Sequence, residues 1–328
     1  MLRPKPDDFS GSNGPCLKKI RSAANDMADR DWKSPVIGFF KTLYLMTAAL
    51  LLVSSAAFLE ARLDNLVGRR ISGLVSDNDN TMIAFQRAWR LAYWSMEWTL
   101  PGTPQGDLAT RLNKANLKQG APVFIRVFKR EFLLEVWLQG QDRFELFASY
   151  PICRFSGRLG PKLKQGDRQA PEGIYTVSTS QLNPGSRWHR SFNLGFPNTY
   201  DRIHGRTGSY LMVHGGCSSI GCYAMTNKVV DEIWQLITAS LNGGQNRFQV
   251  QVFPFRMTQA NLHEKTGHRW EPFWKELKVA HDLFEETRTP PKVNVCGRRY
   301  TAAPGAVGST GTRPLGRSCS SQNSVAAN

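Results

Sequence analysis

The chain reads Tyr210-Leu-Met-Val-His214-Gly-Gly-Cys217-Ser-Ser219-Ile-Gly221-Cys222-Tyr-Ala-Met225 at the stretch that decides its fold and chemistry. The stretch begins as a strand, passes through a loop of small residues, and ends just before a predicted helix. A thiol becomes strongly nucleophilic when a nearby base removes its proton. The pattern therefore predicts Cys222 as a nucleophile and His214, at the strand end, as its general base.

Glycines make this loop suitable for catalysis. Gly215, Gly216 and Gly221 allow a tight turn that brings backbone N–H groups close to a substrate carbonyl. Such groups can form an oxyanion hole. The helix predicted after Thr226 would also direct its positive dipole end toward the thiolate.

Upstream of this stretch, from residue 121, the hydrophobic period is two. It predicts an antiparallel meander through residue 152, and further short strands at residues 173–178, 210–213 and 248–252. Two helices with apolar stripes are predicted, one capped by Thr226 and one with Pro272 in its first turn. Strands followed by two closing helices are therefore predicted for this part of the chain.

The remaining segments differ in composition. Residues 1–35 are polar, residues 62–119 are predicted to be a helical auxiliary region or linker, and residues 301–328 are predicted to be a disordered tail. The tail is rich in Gly, Ala, Ser, Thr and Pro and has no hydrophobic period.

Residues 36–60 contain an apolar run with no charge between Lys41 and Glu60. A transmembrane helix needs ~20 apolar residues and a signal peptide ~7–15, so the run fits either a signal peptide or a membrane anchor. Both interpretations place the rest of the chain outside the cytoplasm, in the periplasm or cell envelope. The alternative is a buried core helix. A true start at Met27 would leave the signal in place with a shorter leader.

The formal charge is +16, from 42 Lys+Arg and 26 Asp+Glu, which favours an anionic partner. No nucleic-acid-binding motif is present, so nucleic acid is not the expected partner.

The six cysteines contain no CxxC pair and do not predict a disulfide framework; they are Cys16, Cys153, Cys217, Cys222, Cys296 and Cys319. Cys153, Cys296 and Cys319 are expected to be buried or incidental thiols. One hypothesis pairs Cys217 with Cys222 in a reversible disulfide, since Cys222 is expected to have a lowered pKa. The favoured alternative makes Cys217 simply a small residue beside the base.

The central stretch resembles the active-site motif of the YkuD-type L,D-transpeptidases, which is a strand ending in His-Gly followed by Ser-x-Gly-Cys. Other segments resemble the same family in the right order over residues 120–300; they are Gly166-Asp167-Arg-Gln-Ala-Pro171-Glu172-Gly173-Ile-Tyr175, Asn193-Leu-Gly-Phe-Pro197, Asp201-Arg-Ile-His204-Gly205 and Phe253-Pro-Phe-Arg-Met257. Several ordered motifs are more specific than one short pattern.

The resemblance implies a mostly β domain with flanking helices, an α+β fold, over residues 120–300, and it also implies roles for residues of the loop. Cys222 would be the nucleophile and His214 the base, Gly221 and Cys222 would offer N–H groups to the oxyanion, and Ser219 and Gly215 would shape the loop. Two positions depart from the family's pattern: Ile220 stands in place of a second His, and Ala224 in place of an Arg.

The resemblance also implies a reaction on peptidoglycan stem peptides, without a cofactor. Cys222 would attack the carbonyl on the L-centre of diaminopimelate and form a thioester. An amine would resolve it, from a neighbouring stem in cross-linking or from an envelope lipoprotein in anchoring. The alternative is resolution by water, which would make the protein a peptidoglycan amidase or peptidase.

Three residues near the motifs are candidates for substrate binding: His204, Arg206 and Tyr223. Each also has a structural interpretation, because a basic loop face or a packed aromatic residue is at least as common. A zinc site built from His214, Cys217, Cys222 and His204 is a rival, but the spacing is not that of a standard finger and no metal is predicted. A peptidoglycan-binding module without turnover is a further rival.

Overall fold

The computed structural model describes residues 78–95, 100, 102–306 and 314–319. The predicted polar segment at residues 1–35 and the predicted signal or anchor at residues 36–60 lie outside the described residues. Among the helices that are described, none is long and apolar enough to span a membrane.

The described residues form helices and mixed sheets in an α+β arrangement, as predicted. The helices are α1 (Asn78–Ser95), α2 (Leu108–Lys114), α3 (Thr199–Ile203), α4 (Asn227–Asn242), α5 (Gln259–His263) and α6 (Glu271–Thr287). The strands are β1 (Val123–Phe128), β2 (Leu133–Gln139), β3 (Phe144–Pro151), β4 (Arg154–Phe155), β5 (Gly173–Val177), β6 (Leu182–Asn183), β7 (Ser191–Asn193), β8 (Met212–His214), β9 (Tyr223–Ala224), β10 (Phe248–Phe253), β11 (Lys292–Cys296) and β12 (Arg299–Ala303).

The first sheet has the strand order β3-β2-β1-β10-β5. β1, β2 and β3 form the predicted antiparallel meander, and β10 pairs parallel with β1 and antiparallel with β5. Every residue of β1 and β10 is buried. The reason is that one face of β1 packs with α4 residues, while the other packs with Phe284 and other residues of α6.

The second sheet has the strand order β4-β9-β8-β7-β6 and carries the motif. β8 and β9 are parallel, with Val213 opposite Tyr223, and the other neighbours are antiparallel. Val213, Tyr223, Phe192 and Phe155 are fully buried in the main core. Because side chains alternate across a strand, their sequence neighbours lie on the other face. One face therefore closes the core and the other presents the motif.

The helices that close the domain begin and pack as predicted. Thr226 is the N-cap of α4 and its side chain accepts a hydrogen bond from the N–H of Val229 at 3.3 Å. Pro272 lies in the first turn of α6, where its missing N–H costs nothing. The buried stripes of both helices join the cores beneath the sheets.

A buried ion pair fixes the loop of residues 156–171. The ammonium of Lys129 lies 2.9 Å from a carboxylate oxygen of Glu172, and both side chains are 0% exposed. The same ammonium donates to three carbonyl oxygens of the loop, those of Arg158, Gly160 and Ala170. Burial lowers the pKa of Lys129, and the charge of Glu172 opposes that effect.

The predicted disorder of residues 301–328 is wrong for two described stretches. Residues 301–303 belong to β12, which pairs antiparallel with β11. Residues 314–319 pack back on the domain, where Leu315 is buried and its carbonyl accepts from the Thr199 hydroxyl at 2.6 Å. The chain is held there by a disulfide between Cys296 and Cys319, which a composition rich in small residues does not reveal.

We predict that Glu172→Gln destabilises the fold by about 3–5 kcal/mol, because it leaves the ammonium of Lys129 buried without its counter-charge. Chemical denaturation followed by circular dichroism measures the effect. Glu145→Gln is the matched control, since the Arg143–Glu145 pair is exposed on both sides and should barely move the midpoint. Equal midpoints for the two variants would contradict the structural role of the buried pair.

Candidate functional site

His214 and Cys222 lie on one face of the second sheet. In the parallel register His214 is opposite Ala224, and Cys222 immediately precedes β9. Residues two apart along a strand share a face, so Cys222 and Ala224 lie on the same side as His214. The structure shows no hydrogen bond between the thiol and the imidazole, which is common before a substrate is bound.

His214 is oriented by its own loop. Its Nδ1–H donates to the carbonyl oxygen of Gly215 at 2.5 Å, which leaves Nε2 as the proton acceptor. The ring of Trp188 lies 6.0 Å from the imidazole, centroid to centroid, and His214 is only 3% exposed. Burial lowers the pKa of His214, while the hydrogen bond to Gly215 opposes this. The imidazole is therefore neutral at neutral pH and can accept a proton.

Cys222 is the free cysteine of the described part of the chain. Its Sγ accepts from the N–H of Met212 at 3.4 Å and lies 3.7 Å from the carbonyl oxygen of Tyr210. Burial raises the pKa of Cys222, although the Met212 N–H and the charge of Lys162 act to lower it. The lowered pKa expected from the sequence is wrong, because desolvation outweighs both of these. The resting site thus holds a thiol beside a neutral imidazole.

Ser219 closes the turn before the thiol. Its hydroxyl donates to the carbonyl of Cys222 at 2.7 Å and accepts from the N–H of Gly221 at 3.2 Å. The N–H of Gly221 is therefore occupied, whereas the N–H of Cys222 has no partner among the described residues. Gly221 has φ +149°, and a Cβ there would lie 3.3 Å from Leu211, so the turn needs glycine.

The cysteine pairing differs from the sequence hypotheses. Cys217 is bonded to Cys153, with Cα atoms 5.3 Å apart, and not to Cys222. Together with Cys296–Cys319, four cysteines form disulfides, so the interpretation of Cys153, Cys296 and Cys319 as incidental thiols is also wrong. Cys217 buries its side chain beside Cys153 and Leu100.

The disulfide also bears on the zinc alternative, because it removes Cys217 from the ligand set. Within the described ranges, no group of three His, Cys, Asp or Glu side chains is placed to hold a metal ion.

Arg206 and Tyr223, two candidates for substrate binding, have structural partners. Arg206 is 5% exposed and donates to the carboxylate of Asp201 at 2.8 Å. Tyr223 is fully buried on the core face, and its hydroxyl donates to the carbonyl of Pro171 at 2.6 Å. Neither side chain is hydrogen-bonded to the thiol of Cys222 in the structure.

His204, the third candidate, lies at the end of α3. Its ring stacks on Tyr200 at 4.2 Å between centroids, and its Nε2 lies 2.7 Å from the carbonyl oxygen of Arg298. Burial lowers the pKa of His204, opposed by that hydrogen bond. The structure shows no contact between His204 and the thiol.

Two residues of the reactive face were not found from the sequence. Arg154 is opposite Ala224 in the antiparallel register, so it shares the face of Cys222. It is half-buried and has no hydrogen-bond or ionic partner among the described residues. Only the pairing of β4 with β9 reveals it. Trp188 is 40% exposed. A tryptophan in a loop of small and basic residues is a feature of the sequence that could have indicated a place near the site.

Comparison with known proteins identifies the family of this chain. The model of the YkuD L,D-transpeptidase catalytic domain matches residues 122–261. The protein named "Putative L,D-transpeptidase YafK" from Escherichia coli K12 is 49% identical over 184 residues, which are 56% of this chain and 75% of that protein. The protein of the same name from Escherichia coli O157:H7 aligns equally.

Two solved structures also align. The helical cell shape determining protein Pgp2 from Campylobacter jejuni aligns at 16% identity and a TM-score of 0.33, over 56% of this chain and 79% of that chain. Bd1075 from Bdellovibrio bacteriovorus aligns at 20% identity and a TM-score of 0.30, over 51% and 61%.

The pKa directions predict how Cys222 reacts with iodoacetamide. Because burial raises the pKa of the thiol, the rate of alkylation should reach half its maximum above the ordinary cysteine value of about 8.5. The rate is measured by mass spectrometry from pH 5 to 10, with Cys222→Ser as the control for labelling of Cys16. A plateau from about pH 5 to 7 would contradict the neutral pair, since it would reveal a preformed thiolate.

Proposed function

We propose, for a chain that belongs to the YkuD family of L,D-transpeptidase catalytic domains, that Cys222 transfers acyl groups on peptidoglycan stem peptides through a thioester. The single observation that carries the proposal is the shared face of Cys222 and His214, with the Nδ1 of His214 held by Gly215. Family membership supports the class of substrate.

In the first step Nε2 of His214 takes the proton of the thiol as Sγ attacks the carbonyl carbon on the L-centre of diaminopimelate. The resulting imidazolium then gives this proton to the departing amine of the terminal D-residue. The C–N bond breaks, an S–C bond remains, and His214 is neutral again. A buried imidazole with a lowered pKa readily returns its proton, which suits this second transfer.

The negative charge on the carbonyl oxygen in this step needs donors. The N–H of Cys222 is free to supply one, while that of Gly221 points at Ser219. A substrate oxygen in the turn would compete with the Ser219 hydroxyl for the Gly221 N–H. Ser219 would then remain bonded to the carbonyl of Cys222 and hold the turn in place.

In the second step an amine attacks the thioester and forms the new amide. The amine is a neighbouring stem peptide or the lysine of an envelope lipoprotein. If water attacks instead, the same residues release a free carboxylate and the protein acts as an amidase or peptidase.

Arg154 is proposed to bind a carboxylate of the stem peptide. By the register of β4 on β9, its side chain leaves the strand on the reactive face, and it has no hydrogen-bond or ionic partner among the described residues. Arg87 adds positive charge nearby: burial, and then the charge of Arg154, lower the pKa of Arg87 to about 10. An anionic substrate would relieve this repulsion.

The reaction is proposed to take place in the cell envelope. Its support is the presence of two disulfides in the described structure, because disulfides persist in oxidising compartments. The apolar run at residues 36–60 would provide the export signal or anchor.

We predict that Cys222→Ala lowers turnover on purified peptidoglycan on the order of a millionfold, since it removes the nucleophile. His214→Ala should lower turnover by roughly a hundredfold or more, because proton transfer is lost. The full chain is incubated with peptidoglycan, the products are separated, and their masses are measured by mass spectrometry.

The products of the wild-type protein also identify the acceptor, since amine attack and water attack give different masses. His281→Ala serves as the control for the loss of a histidine outside the site. Turnover by Cys222→Ala at half the wild-type rate would overturn the proposed function.

We predict that Arg154→Ala lowers kcat/KM by roughly ten- to hundredfold, mainly through KM, because a charge-assisted hydrogen bond to substrate is lost. The assay compares a soluble stem tetrapeptide with the same peptide amidated at the diaminopimelate carboxylate. Arg158→Ala, an exposed arginine of the neighbouring loop, should leave KM unchanged. The assignment is wrong if wild type and Arg154→Ala differ equally on both peptides.

A further inference from the structure

The disulfide between Cys153 and Cys217 lies within the catalytic loop. Cys217 stands between the general base His214 and the nucleophile Cys222, and its partner immediately precedes β4. The two cysteines are 1% exposed and 64 residues apart in sequence. This link therefore joins the loop to a distant part of the chain.

Backbone hydrogen bonds place the disulfide at the end of β9. The N–H of Cys153 donates to the carbonyl of Ala224 at 2.9 Å, and the N–H of Cys217 donates to the carbonyl of Met225 at 3.2 Å. Both half-cystines thus contact the segment that directly follows Cys222. Cys217 also has φ +47°, a conformation that is uncommon for a residue with a side chain.

The rest of the loop has few anchors outside itself. The N–H of Gly216 donates to the side chain of Asn227 at 2.9 Å, and the hydroxyls of Ser156 and Ser219 are 3.5 Å apart. Glycine at three positions of the loop makes its backbone freely variable when it is not tied down. Strands β8 and β9 fix only the ends of the loop, through their pairing with each other and with β7 and β4.

We propose that Cys153 and Cys217 are positioning residues, whose disulfide holds the loop of residues 215–221 so that the thiol of Cys222 meets Nε2 of His214. This rests on the proposed function for the roles of Cys222 and His214. The disulfide touches neither substrate nor reacting atoms. The disulfide acts by restricting the conformations of the loop. It thereby fixes Gly215, whose carbonyl orients His214, and Ser219, whose hydroxyl holds the turn at Cys222.

The proposal has a redox consequence. A dithiol such as dithiothreitol reduces the bond: Cys153 and Cys217 each gain a hydrogen atom, and the dithiol is oxidised to its cyclic disulfide. Cys222 is already a thiol and is not changed by this reaction. Reduction should therefore lower the catalytic rate while the nucleophile stays chemically intact.

The experiment compares two double variants of the full chain. Cys153→Ser with Cys217→Ser removes the disulfide of the loop, and Cys296→Ser with Cys319→Ser removes the one that ties down residues 314–319. Both should melt at a lower temperature than wild type, since each loses a cross-link. Only the first should lower kcat on peptidoglycan, by at least about tenfold with KM unchanged, because the approach of thiol to base is lost.

Alkylation of Cys222 gives a readout that needs no substrate. The loop variant should show a shifted pH profile for iodoacetamide labelling, whereas the control variant should keep the wild-type profile. If the loop variant fails to fold, as judged by circular dichroism, dithiothreitol is instead added to the folded Cys296→Ser, Cys319→Ser variant. Among the described residues of that variant, the loop disulfide is the one that remains to be reduced. Its kcat should then fall by the same factor.

Two outcomes overturn the positioning role: turnover within twofold of the control after loss of the loop disulfide, or an unchanged alkylation profile. Failure of the proposed function would look different. It would show as turnover that survives Cys222→Ala, whatever the state of Cys153 and Cys217.

Discussion

The buried pair of Lys129 and Glu172 is the interaction on which the arrangement of the site depends. Taking two charges out of water is costly, and the cost is offset only when their other donors and acceptors are satisfied. Here the ammonium donates hydrogen bonds to carbonyl oxygens of the loop of residues 156–171. No strand within that loop provides its carbonyls with partners. Apolar residues of the same size would leave those carbonyls unsatisfied. This loop ends at Pro171, whose carbonyl accepts a hydrogen bond from the hydroxyl of Tyr223. Tyr223 is the residue after Cys222.

The partial burial of the two reacting side chains explains the resting state of the site. Burial raises the pKa of Cys222 and lowers the pKa of His214, so both groups are driven toward their neutral forms. In the proposed reaction, the thiolate would then form only as the proton moves to His214 during attack. A neutral thiol is also a poor target for oxidation, which depends on thiolate character. In an oxidising compartment this protects a single reactive cysteine that lies close to a disulfide.

The sequence predicted those parts of the fold that repeat a period over several residues. The meander β1–β3 and helices α4 and α6 followed from such patterns, and the thiol and base followed from a dense local motif. The small sheet was largely missed, because strands of two or three residues contain no measurable period. The disulfides were missed because their partners are 64 and 23 residues apart, and sequence alone does not say which distant cysteines meet. Arg154 belongs with these, since only the register of β4 on β9 brings it to the reactive face.

The choice between amine and water depends on what covers the thioester. Ile220 lies two residues before Cys222 and is 78% exposed. Tyr210 lies across the turn from Cys222 and is 74% exposed. Single exposed apolar side chains are ordinary on protein surfaces, but here the backbone carbonyl of Tyr210 lies 3.7 Å from Sγ of Cys222. An acceptor chain that packs on them would bury apolar surface and exclude water from the thioester at the same moment. Without such a chain, the thioester faces solvent and water is the available nucleophile. On the proposed function, one set of residues would support both outcomes, and packing of the acceptor on Tyr210 and Ile220 would favour attack by the amine.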